Sequence, residues 1–124
     1  MSAEFKGSGN LGSAPNTRKV PVDGEIKTVT DIRVFFDRSV LQDDGTYEED
    51  GGFWLTVTTW GKLAEHCARV LLKGMRVRVE GKLREHSWES EEGPRTELRL
   101  TATHVTLELG RVESVQLRAR DHER

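Results

Sequence analysis

The sequence predicts an all-β chain, a five-stranded barrel with one α-helix between strands 3 and 4 and a long hairpin joining strands 4 and 5. Three observations carry this prediction. Runs of period-two alternation, rich in β-branched and aromatic residues, recur along the chain. One run of helical period interrupts them, and turn signals such as Asp23-Gly24, Asp44-Gly45 and Gly51-Gly52 separate them. At 124 residues and 35% hydrophobic content, the chain can bury the core of one compact domain. No stretch approaches the roughly 18 apolar residues of a membrane span, and residues 1–6 carry no signal-type apolar run. A soluble, cytoplasmic protein with no membrane partner is therefore expected.

The elements follow in order. The opening segment holds Gly7, Ser8, Gly9, Gly12 and Ser13 and then Pro15, and reads as irregular. A short strand follows over 17–22. After the Asp23-Gly24 turn, residues 26–36 form a strand in which Ile32, Val34 and Phe36 alternate. The acidic segment beyond it reads as a long flexible loop, and residues 53–60 return to a strand. From Lys62 the period changes, because Leu63, Cys67, Val70 and Leu71 recur at i, i+4, i+7 and i+8, with Gly74 placed to end a helix. Residues 75–83 alternate again, with Val77, Val79 and Leu83 on one side and Gly81 where a strand bends sharply. Residues 89–94 read as a turn. Residues 98–109 supply the last extended stretch, whose phase shift near His104 predicts a bulge or a strand end. This order is that of an OB barrel. The barrel domain is expected over 1–110, and 111–124 as a short, charged, flexible tail.

Charge is distributed unevenly. The formal net charge is only −2, which gives no support to nucleic-acid binding by itself. Residues 37–50 carry a local balance of −5 and residues 89–97 one of −3, whereas residues 54–88 carry +4. A basic body thus lies between acidic loop tips.

Parity along each strand shows which residues share a surface. Trp54 and Trp60 share a face with Thr56 and Thr58, opposite the apolar series Leu55, Val57 and Thr59. Arg76, Arg78, Glu80, Lys82, Arg84, His86 and Trp88 likewise share one parity, opposite Val77, Val79 and Leu83. Indole rings on a solvent face beside Arg and Lys suit a single strand of nucleic acid. Each base stacked on an aromatic is worth about 1–3 kcal/mol, and every base has a π-face, so little sequence preference follows. Duplex DNA hides its bases and should bind less well.

Two other classes compete. The same aromatics would serve as anchors if the chain were an OB-type interaction module of a replication or primosome assembly, with weak or no DNA binding. An enzyme is disfavoured, because no nucleophile with a base, paired acids or metal cluster falls at a usable spacing. His66 reads as a surface histidine and Cys67 as packed core. The stretch Gly7-Ser8-Gly9-Asn10-Leu11-Gly12 lacks the Lys-Ser/Thr of a phosphate loop. A single cysteine and no zinc-type spacing exclude an intrachain disulfide and predict no metal and no cofactor.

Several blocks occur together: Gly9-Asn10-Leu11-Gly12 with Pro15 and Arg18, Trp60-Gly61-Lys62-Leu63-Ala64-Glu65, Lys73-Gly74, and Val79-Glu80-Gly81-Lys82-Leu83-Arg84 with Trp88. On these the sequence resembles the bacterial single-stranded-DNA-binding protein family over residues 5–109. The resemblance implies a homotetramer, a dimer of dimers, that wraps single-stranded DNA during replication, recombination and repair and associates with the nucleoid. It implies neither catalysis nor a cofactor. By position, Trp54, Trp60 and Trp88 match stacking aromatics, and Lys62, Lys73 and Arg84 match basic positions near the DNA path. Arg18, Arg76, Arg78 and Lys82 complete the expected backbone contacts, with Arg33, His86 and Tyr47 as auxiliary residues. A fourth stacking position falls on Val40, where Tyr47 is a partial replacement. The family's apolar opening strand is reduced to Phe5. In place of its acidic C-terminal tip stands Asp121-His122-Glu123-Arg124, as expected either of a shortened chain or of a specialised paralogue, phage or mobile-element version, and fewer replication and repair partners are expected.

Overall fold

The alternating runs fold as their periodicity requires. In the computed structural model, residues 2–41 and 43–120 are described, apart from the side chains of 38–41 and 47–50. The elements are β1 (Ser2–Leu11), β2 (Asn16–Val22), β3 (Glu25–Leu41), β4 (Tyr47–Trp60), α1 (Gly61–Val70), β5 (Arg76–Ser90) and β6 (Gly93–Leu107). The sheet order β1-β5-β6-β4-β3-β2 is closed by an additional β1–β3 pairing. Five strands therefore ring the core as an OB barrel, and β2 is an outer arm that pairs with β3. Counted in chain order, the barrel strands are β1, β3, β4, β5 and β6, so α1 falls between the third and fourth, as predicted. The long hairpin is β5–β6, paired from Val77↔Leu107 to Ser90↔Gly93.

Ile32, Val34, Phe36, Leu55, Val57, Val77, Val79 and Leu100 fill the barrel, and Ala64, Cys67 and Leu71 close one end of it. Each strand gives the core alternate residues, so the others point outward. Burial pushes the Cys67 thiol up from its ordinary range, which keeps it protonated and apolar in character. Two buried threonines satisfy their hydroxyls inside the fold: Thr30 Oγ1 donates to the Ala64 carbonyl at 2.8 Å and Thr59 Oγ1 to the Thr30 carbonyl at 2.8 Å. The first of these pins α1 to β3.

Four expectations are corrected. The opening segment is a strand. β1 pairs with β5 from Ser2 to Asn10 and with β3 from Gly9 to Leu11. Its glycines serve close approach, since a Cβ on Gly9 would overlap the Phe35 carbonyl. The acidic segment also pairs, because β3 reaches Leu41 and β4 begins at Tyr47, with a register shift between Asp37 and Ser39. The turn expected over 89–94 shrinks to Glu91 and Glu92, where Ser90 Oγ donates to the Gly93 carbonyl at 2.6 Å and Gly93 takes φ +108°. On α1, Val70 is exposed and Ala64 is buried in its place. The Thr30 bond explains this, because reaching the Ala64 carbonyl brings β3 close to a position only a small side chain can fill.

The bulge near His104 is present. Glu80 pairs with His104 and Gly81 with Ala102, which leaves Thr103 unopposed on β6. Beyond Leu107 the described chain forms no further strand or helix. No helix is long and apolar enough to cross a membrane among the described residues.

Candidate nucleic-acid interface

The outward parity of β4 places Trp54 and Trp60 on one face, 48% and 42% exposed, with Thr56 and Thr58 between them. Antiparallel register sets Phe35 opposite Trp54, Arg33 opposite Thr56 and Asp31 opposite Thr58. The Phe35 and Trp54 rings lie 5.2 Å apart at 57°, and the Arg33 guanidinium stands 5.7 Å over the Trp54 ring while Nη1 donates to Thr56 Oγ1 at 3.1 Å. Thr58 donates to Asp31 at 2.8 Å, and Asp31 also accepts from Arg18 at 2.6 Å. Arg18 is thus held by a carboxylate on the same face.

This surface continues across the sheet. β4 runs parallel to β6, with Thr56 beside Arg99 and Thr58 beside Thr101. On the next strand Arg84 stands opposite Arg99 and Lys82 opposite Thr101. Like charges directly opposite repel, and the Arg99 side chain finds partial relief from Glu97 at 2.7 Å. Arg84 and Lys82 have no ion-pair partner among the described residues. The arrangement leaves a positive strip beside the two indoles.

Trp88, 41% exposed, lies further along the hairpin, opposite Arg95, with His86 stacked on it at 5.6 Å and 27°. A cavity of about 550 Å³ opens beside Trp88, lined also by Arg95 and by Glu91, Glu92 and Glu97. Lys62 is exposed on the first turn of α1, two residues past Trp60. Lys73 lies in the turn before β5, which is tied to β1 by the Gly74 N–H donating to the Leu11 carbonyl at 2.8 Å. Leu11 leads into Gly12, whose missing side chain makes room for Trp54: a Cβ there would stand 2.5 Å from Cη2 and Cζ3 of the indole.

Two residues of the predicted basic row are not part of this strip. Arg76 is turned into an ion-pair cluster: it donates to both Asp37 oxygens at 2.7 and 2.9 Å, to Asn10 Oδ1 at 2.9 Å and to Glu108 at 3.2 Å. Its hydrogen bonds to Asp37 lead the causes that raise its pKa further, so its charge is fixed. Arg78 stands between Ser8 and Thr106, on the part of β6 beyond the bulge, whereas β4 pairs with β6 only at 99–101. Parity put all of these residues in one row, and the bulge with the curvature of the barrel divides that row. The side chains of Tyr47 and Val40 lie outside those described.

The geometry adds Phe35, Arg99 and Gly12 to the site. Phe35 and Arg99 have outward parity, so alternation alone carried their signal. Gly12 is visible only in three dimensions.

The single-strand binding protein family model matches residues 8–108, from the end of β1 to the end of β6. The chain belongs to this family. Among curated single-strand binding relatives, the single-stranded DNA-binding protein of Treponema pallidum is 40% identical over 67 residues, which cover 54% of this chain and 38% of that protein. The protein of the same name from Corynebacterium glutamicum is 35% identical over 86 residues, 68% of this chain and 37% of that one. That of Aquifex aeolicus is 30% identical over 95 residues, 77% and 63% respectively. The chain therefore matches between about two fifths and two thirds of the length of these relatives. The crystal structure of a small single-stranded DNA-binding protein from Streptomyces coelicolor superposes with a TM-score of 0.73 over 90% of this chain and 98% of that one, at 20% identity. This last likeness is one of fold, and the fold is the single-strand binding barrel.

Proposed function

We propose that this chain binds single-stranded DNA without sequence preference, by stacking bases on Trp54, Trp60 and Trp88 and meeting phosphates with Lys62, Lys73, Lys82, Arg84 and Arg99. The observation that carries this reading is the half-exposed Trp54 and Trp60 pair on a sheet face that continues into the Lys82, Arg84 and Arg99 strip. A folded protein leaves large indoles in water at a cost unless something covers them, and a cationic strip alongside selects an anionic cover with flat, apolar faces. A single nucleic-acid strand has both properties. Membership of the single-strand binding family points the same way.

In this reading the chain is a binder, not an enzyme, and serves to protect or organise single strands in replication, recombination or repair. It acts as a homotetramer. Support for self-association comes from β1, whose residues 2–8 pair with β5 on one side and have no strand on the other among the described residues. Such an edge is a template for a further strand.

The test is a titration with oligo(dT) followed by intrinsic tryptophan fluorescence. Emission should be quenched on binding, affinity should fall as salt rises, and a duplex of equal length should bind more weakly. Absence of quenching at low salt with a long oligonucleotide overturns the proposal.

A further inference from the structure

The neighbours of Trp54 differ from those of the other two indoles. Trp88 has His86 stacked beside it, and Trp60 stands at the junction of β4 and α1. Trp54 is held from three directions, by a ring on the facing strand, by a guanidinium over its face and by a glycine that makes space for it. Phe35 is half-buried and turned outward at a position where the strand alternation calls for a polar residue such as its neighbour Arg33. An outward phenylalanine on β3 gives no return to the barrel core. Its ring meets Trp54 and also lies over Gly52, where an added Cβ would stand 2.8 Å from Phe35 Cζ.

We infer that Phe35, with Arg33 and Gly12, is a positioning device that fixes the Trp54 indole as a rigid platform before DNA arrives. This rests on the single-strand binding reading above. An unsupported surface indole explores several rotamers and loses that freedom when a base stacks on it, which weakens binding. Here the loss is taken in folding instead. The tilted ring contact with Phe35 limits rotation about χ2. The Arg33 charge is attracted to the indole face and is itself anchored to Thr56. At Gly12 any larger residue would displace the outer ring edge. Phe35 therefore acts through Trp54 and not as a separate stacking surface.

A double-mutant cycle tests this, using Phe35→Leu, Trp54→Ala and the double variant in the full chain, with oligo(dT) affinity as the measurement. Aromatic pairs of this geometry predict a loss of about three- to tenfold for Phe35→Leu. In the Trp54→Ala background, Phe35→Leu should change affinity by less than about twofold, because nothing remains for it to position. A loss that persists in that background overturns the inference in favour of direct stacking by Phe35, and no loss in either background overturns it outright. A second readout is independent of DNA. In a Trp60→Phe, Trp88→Phe chain, where Trp54 is the only indole, Phe35→Leu should lower its fluorescence anisotropy on the nanosecond scale, with Arg33→Gln giving a smaller change in the same direction. Unchanged anisotropy overturns the inference. If the unmodified chain fails to bind oligo(dT), the functional reading falls, and the positioning claim falls with it as a device for binding. If the unmodified chain binds and the cycle shows no coupling, the positioning claim falls alone.

Discussion

Arg76 shows what a residue's immediate partners decide. Along β5 it has the same outward parity as Lys82 and Arg84, and on alternation alone all three present cations to a ligand. In the fold, Arg76 meets Asp37 from β3, Asn10 from β1 and Glu108 just beyond β6, and Ser8 also donates to Glu108. Three other segments thus converge on this β5 guanidinium. Asp37 is mostly buried, so removing its partner leaves a carboxylate poorly solvated. Arg76→Gln should cost about 2 kcal/mol of stability, which lowers Tm by roughly 5–10 °C in a domain of this size. Oligo(dT) affinity should stay within about twofold of the unmodified chain. Thermal unfolding and fluorescence titration of the same variant check both halves. The reverse pattern, an unchanged Tm with weakened binding, would return Arg76 to the DNA contacts.

At the scale of elements, legibility followed apolar alternation. β3, β4, β5 and the final strand could be read because core residues recur at every second position, and a barrel interior demands that pattern. β1 lacks it. Its inward positions include Gly9, where the Phe35 carbonyl comes too close for a side chain, and Gly7, whose space the Phe5 and Phe36 rings take, so the feature that makes the strand fit also hides it from the sequence. The outer ends of the two hairpins were missed for a related reason. They pair outside the core, where hydrogen bonding holds the backbone and composition is free to be acidic. The helix could be read to within its stripe, and the exchange of Val70 for Ala64 depends on a tertiary hydrogen bond that no local pattern records. Gly81 joins both cases. Sequence marked it as a bend, and the structure sets it beside the Thr103 bulge, where a Cβ would overlap the Thr101 carbonyl and stand 2.8 Å from the Ala102 Cα. Those neighbours are backbone and cannot move aside. Gly81→Ala should therefore cost at least about 2 kcal/mol and perturb the β5–β6 register that aligns Arg84 with Arg99. Chemical denaturation measures the first effect. Hydrogen exchange of the β6 amides measures the second.

For the whole molecule, the candidate site depends on separating charge that nearly cancels in total. The net charge of −2 gives no long-range pull toward DNA, yet ten of the 21 acidic residues fall in residues 37–50 and 89–97, toward the outer ends of the two hairpins. Several basic residues have ion-pair partners within the fold: Arg76 with Asp37, Arg18 with Asp31 and Arg95 with Glu92. On the proposed reading the phosphate contacts fall to Lys62, Lys73, Lys82 and Arg84, with Arg99 shared with Glu97. Each phosphate neutralised on a single strand contributes about −0.7 to the slope of log affinity against log salt, so four to five contacts predict a slope of about −3. Lys82→Gln or Arg84→Gln should make that slope shallower by about 0.7, whereas Arg18→Gln and Arg76→Gln should leave it unchanged. Titrations across a tenfold range of sodium chloride measure all five proteins on one scale. A slope near zero would leave stacking as the whole of binding, and one steeper than about −5 would require cations that the fold has paired internally to be released when DNA binds.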